Sequence, residues 1–554
     1  MKSDYIDIIE KALSAYTPQR IRDYIDEVKQ HGLKEHGFPR LGVNIGILIA
    51  YGRRTDLTNA FIEIMDICCA EIPTRKAAND FSLREVCCCL MLIEEKKTVS
   101  DRLIQKWKNQ IAGFDPWKYY DVVAKSPDTP ANNWALFAAV SEFTRGILCK
   151  KDTGEFVDWQ LSSQLLSLDE NGMYKDDPPT NPMVYDLMAR LLFAFLLALG
   201  YNGRFAEKIE NALDKAAPLA LKMQSVTGEI PYGGRSNQFL HNEAMAVSYY
   251  ELEAVRFFKK GNYKAAGEFK AAARLAAEKL LEYLSLKPIS HIKNRYDVNT
   301  MMGCENYGYF NKYMITAASN IYMGYIFADD SIKPTAAPCE KGGYIIGTSK
   351  DFHKIFLNAG GYFAEMDICA DMHYDANGIG RIHKKGCSSF VCLSVPFSPH
   401  PNYKTEGENT RAASLCCCYE SDGHILTGAD GTAEYTLLKS TESSDGVTAE
   451  FSCKLSNEIS VLQSVSLSHS GVDIKLWGDD NIGFMLPIFD FDGADSTKIT
   501  VAKDFIACEY KGSGCKYVFS GDIYDDLGYF YNRNGRYRVM RVKTDALHIE
   551  ISGN

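Results

Sequence analysis

Between residues 21 and 327, apolar side chains recur three and four positions apart, the spacing of a helix with one buried face. The pattern predicts helices over 21–28, 57–72, 83–93, 134–148, 183–199, 205–223, 239–258, 265–284 and 313–327. Gly200 follows one run as a stop signal, and Asn202-Gly203 opens the next connection. Strand-like alternation is scarce in this part, and no crisp repeat is visible. The helices read as successive antiparallel hairpins.

The texture changes after a Pro-containing stretch at 329–341. Tyr344-Ile345-Ile346 and residues 354–358 begin short strands. Segments 461–467 and 472–476 alternate apolar with polar residues around His469-Ser470-Gly471, a hairpin signal, and 547–551 alternates again. Helices followed by strands, without alternation of the two, argue against a βαβ enzyme. The expected organisation is α+β and multidomain: a helical domain at 1–330, a linker at 331–340 and an antiparallel β-sandwich at 341–554.

A chain of 554 residues, 46% hydrophobic and 24% charged, builds a large core without metal or disulfide support. A formal net charge of -10, with no long Lys/Arg run, argues against nucleic acid as partner but leaves room for a small anionic ligand. The 17 cysteines are odd in number and include adjacent sets at 68–69, 87–89 and 416–418, which reads as free thiols in a reducing compartment. The N-terminus lacks an apolar signal-peptide core. The longest apolar run, 191–199, is too short to span a bilayer. A cytoplasmic location and no membrane partner are the expectation. Oligomeric state is not legible.

Four polar clusters stand just before apolar helices: Asn132-Asn133-Trp134; Asp176-Asp177 with Asn181-Pro182 and Tyr185-Asp186; residues 228–243; and residues 305–311. Each supplies helix-capping side chains, yet a cap needs one Asn or Ser, not Arg, His, Glu and tyrosines besides. If the helices alternate direction around a ring, these loops gather at one mouth, where helix N-termini tolerate an anion. In the third cluster, Gly233-Gly234 would let backbone approach a ligand. Arg235 would grip a carboxylate, and His241 would stay neutral at a helix N-terminus and act as a base. Tyr232, Asn237 and Gln238 stand beside them as candidate substrate contacts, and Asn132, Trp134, Asp186 and Glu305 join from the other clusters. Tyr307 and Tyr309 could carry a proton or stack on a sugar ring. In the β part, His373 could overhang the cleft, or could hold a divalent metal with Asp375 and His383, although the spacing matches no strong metal signature. No cofactor is otherwise called for.

This order of motifs resembles the heparinase II/III-like and alginate-lyase-like polysaccharide lyases, which have an (α/α) toroid, an incomplete barrel of helical hairpins, followed by an antiparallel β-sandwich. The resemblance implies β-elimination on an acidic, uronic-acid-containing oligo- or polysaccharide. It assigns Asn133 and Arg235 to neutralising the carboxylate, His241 to the base and Tyr307 to the acid. Two positions depart from the family pattern: Trp134 stands where a His is common after the Asn, and the paired arginines are represented by Arg235 alone. A cytoplasmic enzyme would favour short imported oligosaccharides and an exo mode. The rival reading is a glycoside hydrolase on the same scaffold, with Glu243 partnered by Glu229, Glu305 or Asp186. A glycan-binding protein without turnover is a third class.

Overall fold

The computed structural model describes residues 2–176, 182–421 and 423–553. Asp177 and Asn181 of the second cluster lie outside these residues.

Six helices form an inner ring: Gly37–Ala50, Asn79–Glu95, Trp134–Cys149, Met183–Ala198, His241–Lys259 and Phe310–Phe327. Each packs on the next, and the last packs on the first. At that seam Asn44 donates to Ser319 Oγ over 2.8 Å and Arg40 to Thr316 Oγ1 over 2.8 Å. Six outer helices pair with them: Lys2–Leu13, Thr58–Glu71, Asp101–Ala112, Gly154–Gln164, Ala206–Met223 and Tyr263–Ser285. This is the (α/α) toroid. Because inner and outer helices run in opposite directions, the inner N-termini all open at one end.

The inner helix Gly37–Ala50 has no polar stripe because nearly all of it is buried, between the outer helices and the ring's other members. Its glycines admit close neighbours. A Cβ on Gly46 would stand 2.5 Å from Phe61 Cε2, and one on Gly42 2.5 Å from Ile64 Cγ2. The predicted ranges omit this helix, as they omit the outer helices Lys2–Leu13, Asp101–Ala112 and Gly154–Gln164.

The segment after Phe327 runs without regular structure to the short helix Pro338–Lys341, and the first strand is Tyr344–Gly347. Four strands (Tyr344–Gly347, Lys354–Ala359, Tyr362–Asp367, Gly378–Lys384) make an antiparallel meander. An eight-stranded and a five-stranded antiparallel sheet complete the β domain. The meander and the five-stranded sheet both pack against the eight-stranded one, and an Ile379–Leu415 bridge joins them into a second layer. The expected hairpin is Ser460–Ser468 paired with Gly471–Trp477, Gly471 opposite Ser468. All 17 cysteines are free thiols. Among the described residues no helix is long and apolar enough to cross a membrane.

Gly46→Ala should force Phe61 and Cys89 apart and destabilise the toroid by about 1–3 kcal/mol, the usual cost of overpacking. Thermal unfolding reads this as a lowered midpoint. An unchanged midpoint would mean that the ring yields at this contact.

Candidate functional site

The loop between Met223 and His241 has turns of its own and is also held from the β domain. Arg381 donates to Ile230 O over 2.6 Å, Glu365 accepts from Tyr232 N over 3.3 Å, and Asp375 accepts from Gly234 N over 2.6 Å. Arg533 donates to Gly234 O over 3.0 Å, to Gln238 Oε1, and to Glu305 Oε1 over 2.9 Å. Glu305 in turn accepts from Ser236 N and from Gln238 Nε2, each over 2.8 Å. Arg533, Glu305, Gln238, Asp375 and Arg381 are all buried. One β-hairpin arginine thereby ties two toroid loops together. The strain it supports is visible at Ser236, held at φ +64°, a region that non-glycine residues seldom occupy. Gly234, at φ +74°, lies against Pro182, where a Cβ would come within 2.8 Å. Its permissiveness serves packing against protein, not the ligand approach expected of it.

At the mouth of the ring opens a cavity of about 610 Å³. Asn133, Arg235, His241 and Tyr307, drawn from three of the four polar clusters, all line it, as do Asn132 and Trp134. Asn132 Oδ1 accepts from Trp134 N over 3.0 Å and turns the chain into the helix. That leaves Asn133 Nδ2 to reach Asp176 Oδ1 at 2.6 Å. Asp176 also pairs with Arg235, whose guanidinium lies 4.6 Å from the centre of the Tyr185 ring. Burial opposes the Arg235 charge, but Tyr185 and Asp176 outweigh it and hold its pKa above the ordinary value. Both expected neutralisers are thus oriented by one carboxylate, and the Asn133 amide nitrogen has a second hydrogen to donate.

The His241 ring stacks against Phe239 and Tyr313, with centroids 5.4 Å away in each case. Burial, then Arg40, His291 and Lys293, push its pKa down to about 3, so the ring is neutral near pH 7. Tyr307 shares a 2.8 Å hydrogen bond with Ser236 Oγ, which also meets Tyr185 at 3.2 Å. Burial, with Tyr185 and Glu305, raises the Tyr307 phenol far above its usual value and keeps it protonated. The Tyr313 ring lies 5.4 Å from the His241 ring and 6.1 Å from the Tyr307 ring, centre to centre.

Several expected residues stand elsewhere. Glu243 is fully buried 2.7 Å from Lys293 and does not reach the cavity. Glu229 accepts from Tyr283 over 2.7 Å and faces Lys279 and Arg381. Asp186 takes both Nε and Nη2 of Arg190 and the Tyr174 N–H. Glu305 is spent on the interdomain clamp. Asn237 bonds Pro231 O, Gln238 belongs to the clamp, and Tyr232 is buried beneath Lys354, 3.3 Å from its ring centre. Tyr309 stands at the N-cap position of its helix without a side-chain capping bond and is 59% exposed. The β-domain side chain that reaches the mouth is Tyr374; its neighbour His373 turns outward against Asp371. His383 is buried among Ser225, Thr227 and Ser394, apart from His373, and Asp375 serves Gly234. Among the described residues no three His, Cys, Asp or Glu side chains gather into a metal-holding group.

Residues that the sequence reading passed over complete the lining. His36, Arg40 and Lys312 come from the two helices at the seam, Arg84 from Asn79–Glu95, and Phe81 and Phe137 supply apolar wall. Arg40 and Arg84 sit inside helical stretches with no loop motif to mark them. Among the described residues the lining includes the guanidinium groups of Arg40, Arg84 and Arg235 and the Lys312 amine, whose pKa burial lowers, and no Asp or Glu.

Fold and site together define a helical toroid, backed by a β-sandwich, with a basic cavity at the ring's mouth. No protein-family model matches the chain, and no curated protein does. Among solved structures, heparinase III superposes with a TM-score of 0.50 at 10% identity, over 93% of this chain and 76% of that one. A heparan sulfate lyase from Pedobacter heparinus gives 0.44 at 8% identity, over 94% and 76%. A glycosyl hydrolase family 88 protein from Bacteroides vulgatus gives 0.38 at 12%, over 59% and 99%. The chain has the (α/α) toroid and antiparallel β-sandwich fold that heparinase III has.

Arg533→Met leaves Glu305 buried without its cation, and should destabilise the clamp by about 3–5 kcal/mol. A thermal midpoint equal to wild type would show that the two loops hold themselves. Burial raises Glu365 from 4.5 to about 7 and Asp375 from 3.8 to about 6. The folded state therefore binds protons that the unfolded state has already released, and stability from this source falls as pH rises through that window. Relative to wild type, Glu365→Gln should gain about 3 kcal/mol between pH 4.5 and 7, at 1.36 kcal/mol per unit. Parallel stability curves in denaturant titrations would contradict this.

Proposed function

We propose that the chain is a lyase that cleaves an acidic glycan by β-elimination, with a uronic-acid sugar held at the toroid mouth. The observation that carries this is the makeup of the cavity: cations, neutral imidazole and protonated phenols converge, and no carboxylate lines it among the described residues. Glycoside hydrolysis in its usual form needs two carboxyl groups about 5–9.5 Å apart across the scissile bond. The carboxylates available for that, Glu243, Glu229, Glu305 and Asp186, are each engaged away from the cavity. Heparinase III, a neighbour in fold, agrees with this reading.

In the proposed reaction Arg235 and the Asn133 amide draw charge from the sugar carboxylate and acidify the adjacent C5–H. His241 takes that proton as a neutral base. The C5–H pair becomes the C4–C5 double bond, the C4–O bond breaks, and Tyr307 gives its proton to the departing oxygen. Burial makes His241 a feeble base, and Arg40, His291 and Lys293 oppose a further charge there. An entering carboxylate offsets those cations and strengthens it. Ser236 holds the Tyr307 hydroxyl, and its strained backbone, fixed by Glu305, fixes that hydroxyl in turn.

The test is product analysis with candidate oligouronides. Elimination gives ultraviolet-absorbing unsaturated uronates whose masses sum to that of the substrate; hydrolysis adds a water. Tyr307→Phe and His241→Ala should each lower kcat about 10²–10⁴-fold, the range of general acid–base catalysis. Saturated products, or a Glu243→Gln protein that folds but is inactive while Tyr307→Phe turns over normally, would give the reaction to hydrolysis.

A further inference from the structure

The cavity continues below the mouth. Tyr313, Thr316, Asn320 and Met323 line it on successive turns of one inner helix, a run of about 15 Å at 1.5 Å per residue. Arg84 joins the lining five residues into its own helix, about 7 Å below that helix's start. It is only 1% exposed, and its Nε and Nη1 have no hydrogen-bond partner. Its Nη2 donates to Glu85 Oε1 over 2.8 Å. That carboxylate is already committed, because Arg40 holds both of its oxygens, at 2.8 and 2.9 Å. Two buried guanidinium groups therefore share a single carboxylate, and among the described residues no second acid pairs with either. The Phe137 and Phe195 rings lie 5.6 and 6.0 Å from the Arg84 guanidinium, and give it π-faces but no charge.

A buried, half-bonded cation costs several kcal/mol unless something compensates it. Nothing in the fold of the ring needs one here, since the Arg40–Glu85 pair would be complete without Arg84. We infer that Arg84, with Arg40 behind it, is a second anion subsite below the mouth, which takes an oxyanion: a sulfate, phosphate or carboxylate. Its natural occupant is an anionic substituent on the bound sugar, in addition to the carboxylate held by Arg235. As a statement about substrate this rests on the elimination reading; as an anion site it does not.

Thermal unfolding of the intact protein in sodium sulfate, against sodium chloride at matched ionic strength, separates the two. Sulfate should raise the midpoint along a saturating curve beyond the chloride control. Arg84→Met removes the unpaired charge, keeps the Arg40–Glu85 pair, and should fold at least as stably in chloride. It should bind sulfate about tenfold to a hundredfold less tightly, as expected for lost charge-assisted hydrogen bonds. Arg84→Lys, which keeps a charge, should retain part of the effect. Selenate diffused into crystals should appear beside Arg84. No sulfate-specific rise, or an equal one in Arg84→Met, overturns the subsite. In the turnover arm, wild type should prefer an oligouronide bearing an extra oxyanion over its unsubstituted parent, and Arg84→Met should lose that preference tenfold or more. If sulfate binds at Arg84 but no elimination occurs, the subsite stands and the proposed reaction fails. If elimination occurs without the preference, the reaction stands and the assignment of a sugar substituent fails.

Discussion

The buried contact of Arg533 with Glu305, Gln238 and the Gly234 carbonyl is the constraint on which the mouth of the toroid depends. The loop of residues 228–240 and the turn at 304–309 have few regular hydrogen bonds of their own. They are fixed because a guanidinium from the β domain must satisfy its donors inside the protein, and these two loops carry the acceptors. Breaking such a pair strands a charge, so the contact is specific even where its net contribution is modest. Through Glu305 the constraint passes to Ser236, and through the Ser236 hydroxyl to Tyr307 and Tyr185. The β-sandwich is therefore part of the site, although Tyr374 is its chief direct contribution to the cavity wall.

The electrostatics of the mouth follow from what surrounds it rather than from overall charge. The chain is acidic as a whole, at -10, yet the cavity is basic. Asp176 steadies Arg235 and Asn133, while burial, reinforced by Arg40, His291 and Lys293, keeps His241 neutral.

Much of the architecture was legible in the sequence. Outer helices such as Ala206–Met223 have one wet face and one dry face, so their apolar residues keep a 3.6-residue period. The hairpin around His469-Ser470 keeps a period of two for the same reason. The polar clusters could be read because Asn, Arg, His and Tyr in one loop exceed what a helix cap requires. The inner helix Gly37–Ala50 escaped this reading, and so did the outer helices Lys2–Leu13, Asp101–Ala112 and Gly154–Gln164, although Asp101–Ala112 buries Ile104, Trp107 and Ile111 along one face.

By itself the sequence determined the order of a helical domain and a β domain, and the segments that carry the clustered polar side chains, because local periodicity and turn chemistry depend only on near neighbours. Only the tertiary structure decided which of those side chains meet. Asn133, Arg235, His241 and Tyr307 share a cavity because three inner helices, Trp134–Cys149, His241–Lys259 and Phe310–Phe327, point their N-termini to one side. Glu243 lies only two residues from His241, and the 100° step per residue of a helix turns it into the wall beside Lys293. Arg40 and Arg84 look like ordinary helical positions until the ring closes and leaves two cations facing one carboxylate. Pairing of buried charge is a property of the packed interior, and no local pattern in the chain records it.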